Sequence, residues 1–221
     1  MFTGWQRLIR FGFHLLYNQM AWTYDGVSWL VSLGEWRHWQ LAALPFLNGR
    51  FILEIGHGPG HLLLELAASG KHAVGLDLSP HMGRMAQRRL QKTGQMAQLT
   101  QGSVQTLPFP DGAFDAVLST FPTDFIGDPA VLTAVHRVLK ENGRFVIIPA
   151  AHLTGKRIIH RLIDSLFHLT GQKKEGLEME TAVWKPLQQR FAHAGFETTI
   201  EQIQRPRSSI TLIVAQKKAI S

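Results

Sequence analysis

The sequence predicts an α/β fold built on a doubly wound, mainly parallel sheet of about seven strands. From residue 50 onward, short apolar runs typical of buried strands alternate with helical patterns. A loop rich in glycine follows the first of these strands, and a carboxylate stands at the end of the second. Such alternation favours right-handed crossovers, which cover both faces of a parallel sheet with helices.

Five strands and three helices form the centre of this pattern. We predict strands at residues 51–55, 72–78, 96–102, 113–120 and 144–150, with helices at 61–69, 80–92 and 128–140. Ser79 can cap the second helix, with Pro80 at its first position, and Asp128 opens the third. We expect Asn142 and Gly143 to end that third helix.

A helical cap is predicted before the first strand. Residues 1–48 are rich in aromatic side chains and show amphipathic helical spacing, with a first helix expected at 7–18 and two more near 25–33 and 35–44. This cap is short and carries its own apolar face. We therefore assign it to the same domain as the strand-and-helix region 49–221.

The C-terminal part combines a helical insert with a hairpin. A lid-like amphipathic insert is predicted at residues 152–182, and a helix at 183–194 ends at Gly195. Strands at 196–204 and 208–217 follow. We expect these two strands to form an antiparallel hairpin at the edge of the sheet.

Composition excludes several classes of protein. The chain has 221 residues, of which 45% are hydrophobic, and it has no cysteine, so disulfides and thiolate metal sites are excluded. No secretory signal or membrane-spanning run is recognised, which predicts a cytoplasmic protein. The net charge of +7 is scattered, so nucleic acid is a disfavoured partner. No histidine or carboxylate spacing indicates a metal.

The glycine loop EIGHGPG differs from the common phosphate-binding loops. A loop for nucleoside triphosphates needs Lys and then Ser or Thr after its last glycine, whereas Gly60 is followed by His61 and Leu62. The dinucleotide fingerprint needs a sixth-position glycine, and His61 occupies that position. The loop therefore predicts a close approach to a ligand other than these.

Two carboxylates indicate which ligand that is. Glu54, two residues before Gly56, stands at the carboxyl end of the first strand, where it is awkward beside a pyrophosphate but suits an ammonium group. Asp77 ends the second strand, where a carboxylate can accept hydrogen bonds from both ribose hydroxyls. A ligand with a ribose, an ammonium group and no phosphate is implied, and S-adenosylmethionine fits this description.

The chain resembles the class I S-adenosylmethionine-dependent methyltransferases, with a Rossmann-like sheet, over roughly residues 18–218. EIGHGPG resembles the first motif of that superfamily and GLDLSPHM its ribose-binding motif. GSVQTLPFPDGAFDAVLS resembles the stretch written G-D-A-x-x-L-P-F-x-D-x-x-F-D, and HRVLKENGRFVI the segment before the fifth strand. Four such motifs in order form a specific signal.

The resemblance implies a set of residues that bind the methyl donor, with S-adenosylhomocysteine as product and no metal. These residues are Tyr24, Glu54, Ile55, Gly56, His57, Gly58, Gly60, Asp77, Leu78, Met82, Gly102, Ser103, Val104, Thr120 and Phe121. Ser103 departs from the family, which has Asp there to accept a hydrogen bond from the adenine amino group. A serine hydroxyl can also accept that bond, but without the charge.

A narrower resemblance involves both ends of the chain. MAWTYDGVSWLVSLGEWRHWQ is similar to a stretch of the menaquinone/ubiquinone C-methyltransferase group, as is WKPLQQRFAHAGFETTIEQ near the C-terminus. It implies that Tyr24 lies near the methionine end of the donor and that Trp36, Arg37 and Trp39 lie on a helix covering the site. The insert does not match, so the acceptor is not carried over.

Candidate catalytic bases follow the fourth and fifth strands. Asp124 and His152 are the two candidates, with Tyr24 as a third, since a carbon or oxygen acceptor can require a base. The chain has Thr120-Phe121-Pro122-Thr123 where methyltransferases acting on amides and nucleobases often carry Asn/Asp-Pro-Pro-aromatic. That subclass is disfavoured.

The acceptor is predicted to be a small hydrophobic or amphipathic molecule, quinone-like or lipid. The amphipathic helices around 1–48 and 152–182 suit either a lid or peripheral contact with the inner membrane face. The alternatives are an RNA or protein methyltransferase that uses the basic surface, and a non-catalytic module that binds S-adenosylmethionine. The sequence is compatible with a monomer or a homodimer.

Overall fold

The computed structural model describes residues 26, 28, 29, 32–122, 124–154 and 181–218. The first predicted helix, Tyr24, Thr123 and nearly all of the insert lie outside these residues. Within the predicted helix 25–33, all four described residues before Leu33 are helical. The predicted domain boundaries at 48/49 and around the insert stay predictions.

The described residues form the predicted mainly parallel sheet. Its strands are β1 (Phe51–Ile55), β2 (His72–Asp77), β3 (Gln98–Gln101), β4 (Phe114–Thr120), β5 (Leu139–Leu153), β6 (Phe196–Gln204) and β7 (Ser208–Lys217). Their order is β3-β2-β1-β4-β5-β7-β6. β7 runs antiparallel to both β5 and β6, and the other pairs are parallel. The predicted fold class, with its antiparallel edge hairpin, is confirmed.

The helices flank the strands along the chain, and two of them begin directly after the residues that the sequence assigns as caps. They are α1 (Trp36–Leu41), α2 (His61–Ala68), α3 (Pro80–Thr93), α4 (Pro129–Val138) and α5 (Thr181–His193), with 3₁₀ turns at Leu44–Phe46 and Asp124–Gly127. The Ser79 hydroxyl accepts a hydrogen bond from the Met82 N–H, and Asp128 Oδ1 accepts one from the Ala130 N–H at 2.9 Å. Both predicted caps are confirmed.

The predicted end of the third helix is wrong by two residues. The helix was expected to run to residue 140, but α4 ends at Val138 and β5 begins at once. Leu139 is fully buried and pairs with Phe114 of β4, so burial on the sheet outweighs the helical pattern. Asn142, with φ of 59°, lies inside β5 where the register with β4 shifts, and so it marks a bulge rather than a helix end.

The core has two halves, one on each face of the sheet. Leu53 and Val117 belong to one apolar cluster, and Ile52 and Leu118 to the other. All four side chains are fully buried. Because described helices and loops cover both faces of the parallel strands, a ligand is expected at the strand ends.

Asp115 joins three elements at the amino ends of the parallel strands, which are here called the amino edge of the sheet. Its Oδ2 accepts hydrogen bonds from the Arg50 and Phe51 N–H groups, each at 2.8 Å, and its Oδ1 lies 2.8 Å from Lys140 Nζ. Burial acts to raise the pKa of Asp115, but Lys140 and the two N–H groups outweigh it and lower that pKa. This carboxylate is satisfied by the protein itself.

Candidate functional site

The glycine loop between β1 and α2 is open at its first two glycines and closed at its third. Gly56, Gly58 and Gly60 all have positive φ, of 69°, 54° and 77°. A Cβ atom added at Gly56 or Gly58 would meet no atom of the described residues within 4 Å, whereas one at Gly60 would lie 2.6 Å from the Cβ of Ala86 on α3. The first two glycines therefore leave room for a ligand, and the third lets α2 pack against α3.

Asp77, at the carboxyl end of β2, fixes the shape of this loop. Its Oδ2 accepts a hydrogen bond from the Gly58 N–H and its Oδ1 one from the Ser79 N–H, both at 2.8 Å. Each carboxylate oxygen can accept a second hydrogen bond. Asp77 is half-buried beside the open glycines, so it can take ribose hydroxyls while still holding the loop.

Glu54 is a carboxylate at the same ends of the strands whose hydrogen bonding the described residues leave incomplete. Its side chain is buried, with 1% exposure, and its Oε2 has no hydrogen-bond partner among the residues that the structure describes. Burial, and secondarily the negative charge of Asp77, raise the pKa of Glu54 well above its usual range. A cation beside this carboxyl would favour its ionised form and supply the missing partner.

His57 and Met82 have side chains turned away from the open side of the loop. The His57 ring is buried and packs over Gly75 of β2, and its Nδ1 lies 2.7 Å from the Gly58 carbonyl oxygen. Burial lowers the pKa of His57, although Asp77 and the Gly58 carbonyl act in the opposite sense. Met82 is fully buried. Any ligand contact made by His57 at the open side would come from its backbone.

The segment after β3 continues the same edge. The Gly102 N–H donates to the Asp77 carbonyl at 3.1 Å, which sets Ser103 beside the end of β2. Leu78 is 71% exposed, which is high for a leucine. Ser103 and Val104 are half-buried. These residues form an apolar and hydroxyl-bearing surface next to Asp77.

On the other side of the loop, aromatic rings gather at the end of β4. Phe121 has a φ of 52°, which is strained for a non-glycine residue, and its N–H donates to the Ile148 carbonyl at 2.7 Å. Its ring stacks on Trp36 of α1, with centroids 4.3 Å apart, and lies 6.0 Å from the Trp39 ring. The helix α1 thus covers the carboxyl end of β4.

Two further residues support this corner, and the sequence reading missed both. Gln40 of α1, 8% exposed, donates from Nε2 to Thr120 Oγ1 at 3.3 Å, and its own Oε1 has no partner among the described residues. Ser119 donates to the Ile55 carbonyl at 3.1 Å, which pins β4 to β1. Neither belongs to a recognisable motif; only their closeness to the ends of predicted elements could have indicated them.

The structure places the predicted bases on the carboxyl side of the sheet without testing their role. Asp124 begins the 3₁₀ turn after β4. His152 is half-buried within β5, in register with Ser209 of β7, because β5 continues beyond its predicted end. Arg37, expected to cover the site, pairs with Glu65 of α2 at 2.6 Å. The assignments of Asp124, His152 and Tyr24 stay predictions.

Neither a metal site nor a membrane-spanning helix is found among the residues that the structure describes. No group of three or more histidine, aspartate or glutamate side chains in this part of the chain is arranged to hold a metal ion. None of its helices is long and apolar enough to cross a membrane.

Comparison with solved structures defines the class of this fold. A methyltransferase from Methanosarcina mazei described as S-adenosylmethionine-dependent superposes with a TM-score of 0.56 at 22% identity, covering 80% of this chain and 96% of that one. The geranyl diphosphate C-methyltransferase of Streptomyces coelicolor, solved with S-adenosylhomocysteine, gives 0.58 at 14% identity, covering 82% and 78%. At these identities the likeness shows the fold alone, which is that of Rossmann-like methyltransferases.

Sequence comparison makes the assignment narrower. Residues 52–143 match the family described as methyltransferase domain. The demethylmenaquinone methyltransferase of Symbiobacterium thermophilum is 32% identical over 146 residues, which is 62% of this chain and 58% of that protein. A ubiquinone/menaquinone biosynthesis C-methyltransferase of Geotalea uraniireducens is 30% identical over 142 residues, 60% of each chain.

The chain is thus similar to the methyltransferase domain family over residues 52–143, and to the menaquinone/ubiquinone C-methyltransferases over 142 to 146 residues. Both predicted resemblances are confirmed. The chain spans about three fifths of the length of the relatives it matches.

Proposed function

We propose that the protein transfers the methyl group of S-adenosylmethionine to a small hydrophobic or amphipathic acceptor. The observation that carries this proposal is the buried Glu54 carboxyl, whose Oε2 has no partner among the described residues, on the strand that leads into two open glycines. An isolated buried carboxyl is costly, and an ammonium group is the partner that removes this cost. The amino group of the methyl donor supplies such a partner.

The strand order supports one orientation of the donor. Glu54 lies on β1, Asp77 ends β2 and Ser103 follows β3, and these strands are neighbours in that order. Adjacent strands are about 4.8 Å apart, so an extended ligand can lie across all three ends. Its ammonium group would meet Glu54, its ribose Asp77, and its base the surface of Leu78 and Ser103. The sulfonium, which links the ribose to the amino-acid part, would then lie between Asp77 and Glu54, and the methionine end of the donor would lie next to β4.

The acceptor side is aromatic. Trp36, Trp39 and Phe121 gather at the end of β4, which is the neighbour of β1, where the methionine end of the donor would lie. Such a surface favours a flat or apolar acceptor over a highly charged one. Relatives of this chain are named for methylation of demethylmenaquinone, which points in the same direction. We infer a quinone-like or lipid acceptor.

The chemistry is an in-line displacement. A bond forms from the acceptor atom to the methyl carbon as the carbon–sulfur bond breaks, and the electron pair of that bond stays on sulfur as a neutral thioether. The protein has to align the reactants and exclude water. A proton lost from the acceptor would pass to a base, for which Asp124, His152 and Tyr24 are the proposed candidates.

The first test is calorimetric binding of S-adenosylhomocysteine. We expect micromolar binding by the wild type and at least tenfold weaker binding, about 1.4 kcal/mol, by Asp77→Ala and by Glu54→Gln. Glu65→Gln is the matched control, since Glu65 lies on α2 and pairs with Arg37. Thermal denaturation checks that each variant is folded. A folded wild type that does not bind would contradict the proposal.

The acceptor is tested by transfer of a labelled methyl group. Isoprenoid hydroquinones, phospholipid vesicles and bulk RNA are offered in parallel to protein that binds S-adenosylhomocysteine. Transfer to a hydroquinone or lipid supports the proposed acceptor class. Transfer to RNA alone would contradict it, and tight binding without transfer to any acceptor would favour a non-catalytic binding module.

A further inference from the structure

A short chain of polar side chains runs from the β3 end of the site to the N-terminus of α4. The Ser103 hydroxyl donates to Gln105 Oε1, and Gln105 Nε2 donates to Asp128 Oδ2 at 3.4 Å. The other oxygen of Asp128, Oδ1, is held by its capping bond from the Ala130 N–H at 2.9 Å. Three side chains are thus linked in series, from Ser103 to a helix cap.

Asp128, at one end of this series, determines which group donates and which accepts in each hydrogen bond. An ionised aspartate can only accept, so the atom of Gln105 that faces Asp128 has to be the amide nitrogen. The other end of the same amide is then its oxygen, which also only accepts. The hydroxyl hydrogen of Ser103 therefore points to Gln105. The Ser103 hydroxyl oxygen keeps its lone pairs, and one of them accepts a hydrogen bond from the backbone N–H of Gln105 at 3.4 Å.

This arrangement makes Ser103 an acceptor toward a ligand. A serine hydroxyl on its own can either donate or accept, so it cannot distinguish a purine that carries an amino group from one that carries an oxo group. A hydroxyl whose hydrogen is committed elsewhere can only accept, and it therefore selects the amino group. Ser103 stands where the sequence resemblance led us to expect Asp, a residue that accepts by virtue of its charge.

We propose that Gln105 and Asp128 act as positioning residues that commit the Ser103 hydroxyl to accepting a hydrogen bond, and so give the site its preference for adenine over a 6-oxo purine. This inference rests on the proposed binding of S-adenosylmethionine, with the base at the β3 end of the site. The series Ser103–Gln105–Asp128, here called the relay, replaces the expected carboxylate acceptor with a neutral hydroxyl acceptor whose hydrogen points in a fixed direction.

The sharpest test reverses the relay without removing it. The amide introduced by Asp128→Asn keeps an oxygen for the capping bond and presents an N–H to Gln105. The Gln105 amide then turns round, its nitrogen faces Ser103, and the hydroxyl hydrogen points outward as a donor. The probes are S-adenosylhomocysteine and S-inosylhomocysteine, which differ at position 6 of the purine.

We expect the wild type to prefer the adenine probe by at least tenfold in Kd, and Asp128→Asn to lower that ratio by at least fivefold. Asp111→Asn is the matched control, because Asp111 pairs with Arg137 at the protein surface and takes no part in the relay. Gln105→Leu, which leaves the helix cap intact, should also lower the ratio, because the hydroxyl hydrogen is then no longer committed.

A double-mutant cycle separates the relay from a structural effect. In a Ser103→Ala background, Asp128→Asn should leave the ratio of the two dissociation constants unchanged, because the group through which it acts is absent. An equal drop in both backgrounds, or an unchanged ratio in Asp128→Asn and Gln105→Leu, would overturn the relay while leaving the binding of S-adenosylhomocysteine intact. A folded wild type that binds neither probe would overturn the proposed function together with the relay.

Discussion

Two carboxylates differ in how fully the protein satisfies them: one lies at the amino ends of the parallel strands (the amino edge) and the other at their carboxyl ends (the carboxyl edge). Asp115, at the amino edge, accepts from two backbone N–H groups and pairs with Lys140, and its pKa is lowered. Glu54, at the carboxyl edge, is more deeply buried, has an oxygen without a partner among the described residues, and has a raised pKa. One carboxylate is completed by the fold, and the other is not.

The glycines beside these carboxylates differ in the same sense. A Cβ at Gly49 would lie 2.2 Å from the Cβ of Asp115, whereas one at Gly58 would meet nothing within 4 Å. Both glycines have positive φ, so the backbone requirement is shared and only the surroundings differ. The amino edge is filled by protein atoms, and the carboxyl edge leaves space beside an incomplete charge. This contrast supports the proposed ligand site more directly than residue type does.

The largest expected effects come from exchanging these two glycines for alanine. Gly49→Ala should lower the free energy of unfolding by about 2–4 kcal/mol, because overpacking adds to the strain of positive φ. Gly58→Ala should lower it by only about 1–2 kcal/mol, yet weaken S-adenosylhomocysteine binding more than tenfold by filling the ligand space. Urea denaturation and calorimetry measure the two quantities. The contrast fails if Gly58→Ala binds as the wild type does.

The amino-edge carboxylate should matter for stability alone. Asp115→Ala leaves two backbone N–H groups and Lys140 without their acceptor, which should lower the free energy of unfolding by about 1–3 kcal/mol. Asp111→Ala removes a surface ion pair with Arg137 and serves as the control, with a change below about 1 kcal/mol. In both variants the intrinsic affinity for S-adenosylhomocysteine, measured well below the melting temperature, should stay within twofold of wild type.

Most of the sheet could be predicted from the sequence because its signals are local. Apolar runs bounded by glycine locate β1, β2 and β4, and the Ser79 and Asp128 caps locate α3 and α4. The junction of α4 with β5 could not be predicted. The helical pattern continues past Val138, and only the pairing of Leu139 with Phe114 ends it. That pairing joins residues far apart in sequence.

The candidate site divides in the same way. Glu54, the glycines and Asp77 lie in contiguous motifs and are recognisable by spacing. Gln40 is brought to Thr120 across 80 positions of sequence, and Gln105 becomes notable only through Asp128. The burial of Met82 and of the His57 ring is likewise a matter of tertiary packing. Motif spacing identifies the backbone of the site, whereas side-chain direction depends on the assembled fold.

The pKa contrast predicts opposite dependence of stability on pH. Glu54 binds its proton more tightly in the folded state than in the unfolded state, so above the unfolded pKa of about 4.5 its contribution to stability is lost as pH rises toward the raised folded pKa. The slope is at most about 1.4 kcal/mol per pH unit, and Glu54→Gln should remove it. Asp115, with its lowered pKa, loses its contribution as pH falls instead.

Ligand binding should reduce the contribution of the raised Glu54 pKa to the pH dependence of stability. An ammonium group beside this carboxyl favours its ionised form, so binding of S-adenosylhomocysteine should release protons below the raised pKa. Calorimetry in buffers of different ionisation enthalpy measures that release, which should be absent in Glu54→Gln. Proton release equal in wild type and Glu54→Gln would show that this carboxyl does not meet the amino group.

The smallest expected effect compares one aromatic residue from each edge. Phe121 stacks on Trp36 at the carboxyl edge, and Phe51 stacks on His72 at the amino edge, with centroids 4.3 and 4.8 Å apart. Phe→Leu at either position removes a ring contact and should lower the free energy of unfolding by about 1 kcal/mol. Similar losses of stability would make the two variants a matched pair.

Only the carboxyl-edge variant should affect catalysis. Phe121→Leu removes part of the surface proposed to hold the acceptor, and we expect KM for the acceptor to rise about three- to tenfold, which corresponds to about 0.7–1.4 kcal/mol, with the Kd of S-adenosylhomocysteine within twofold of wild type. Phe51→Leu should change neither constant. Steady-state kinetics with the acceptor identified by labelled transfer measure both. An equal KM for Phe121→Leu and wild type would place the acceptor away from the aromatic rings, because a flat or apolar molecule packed on Phe121 cannot lose that ring without losing contact area.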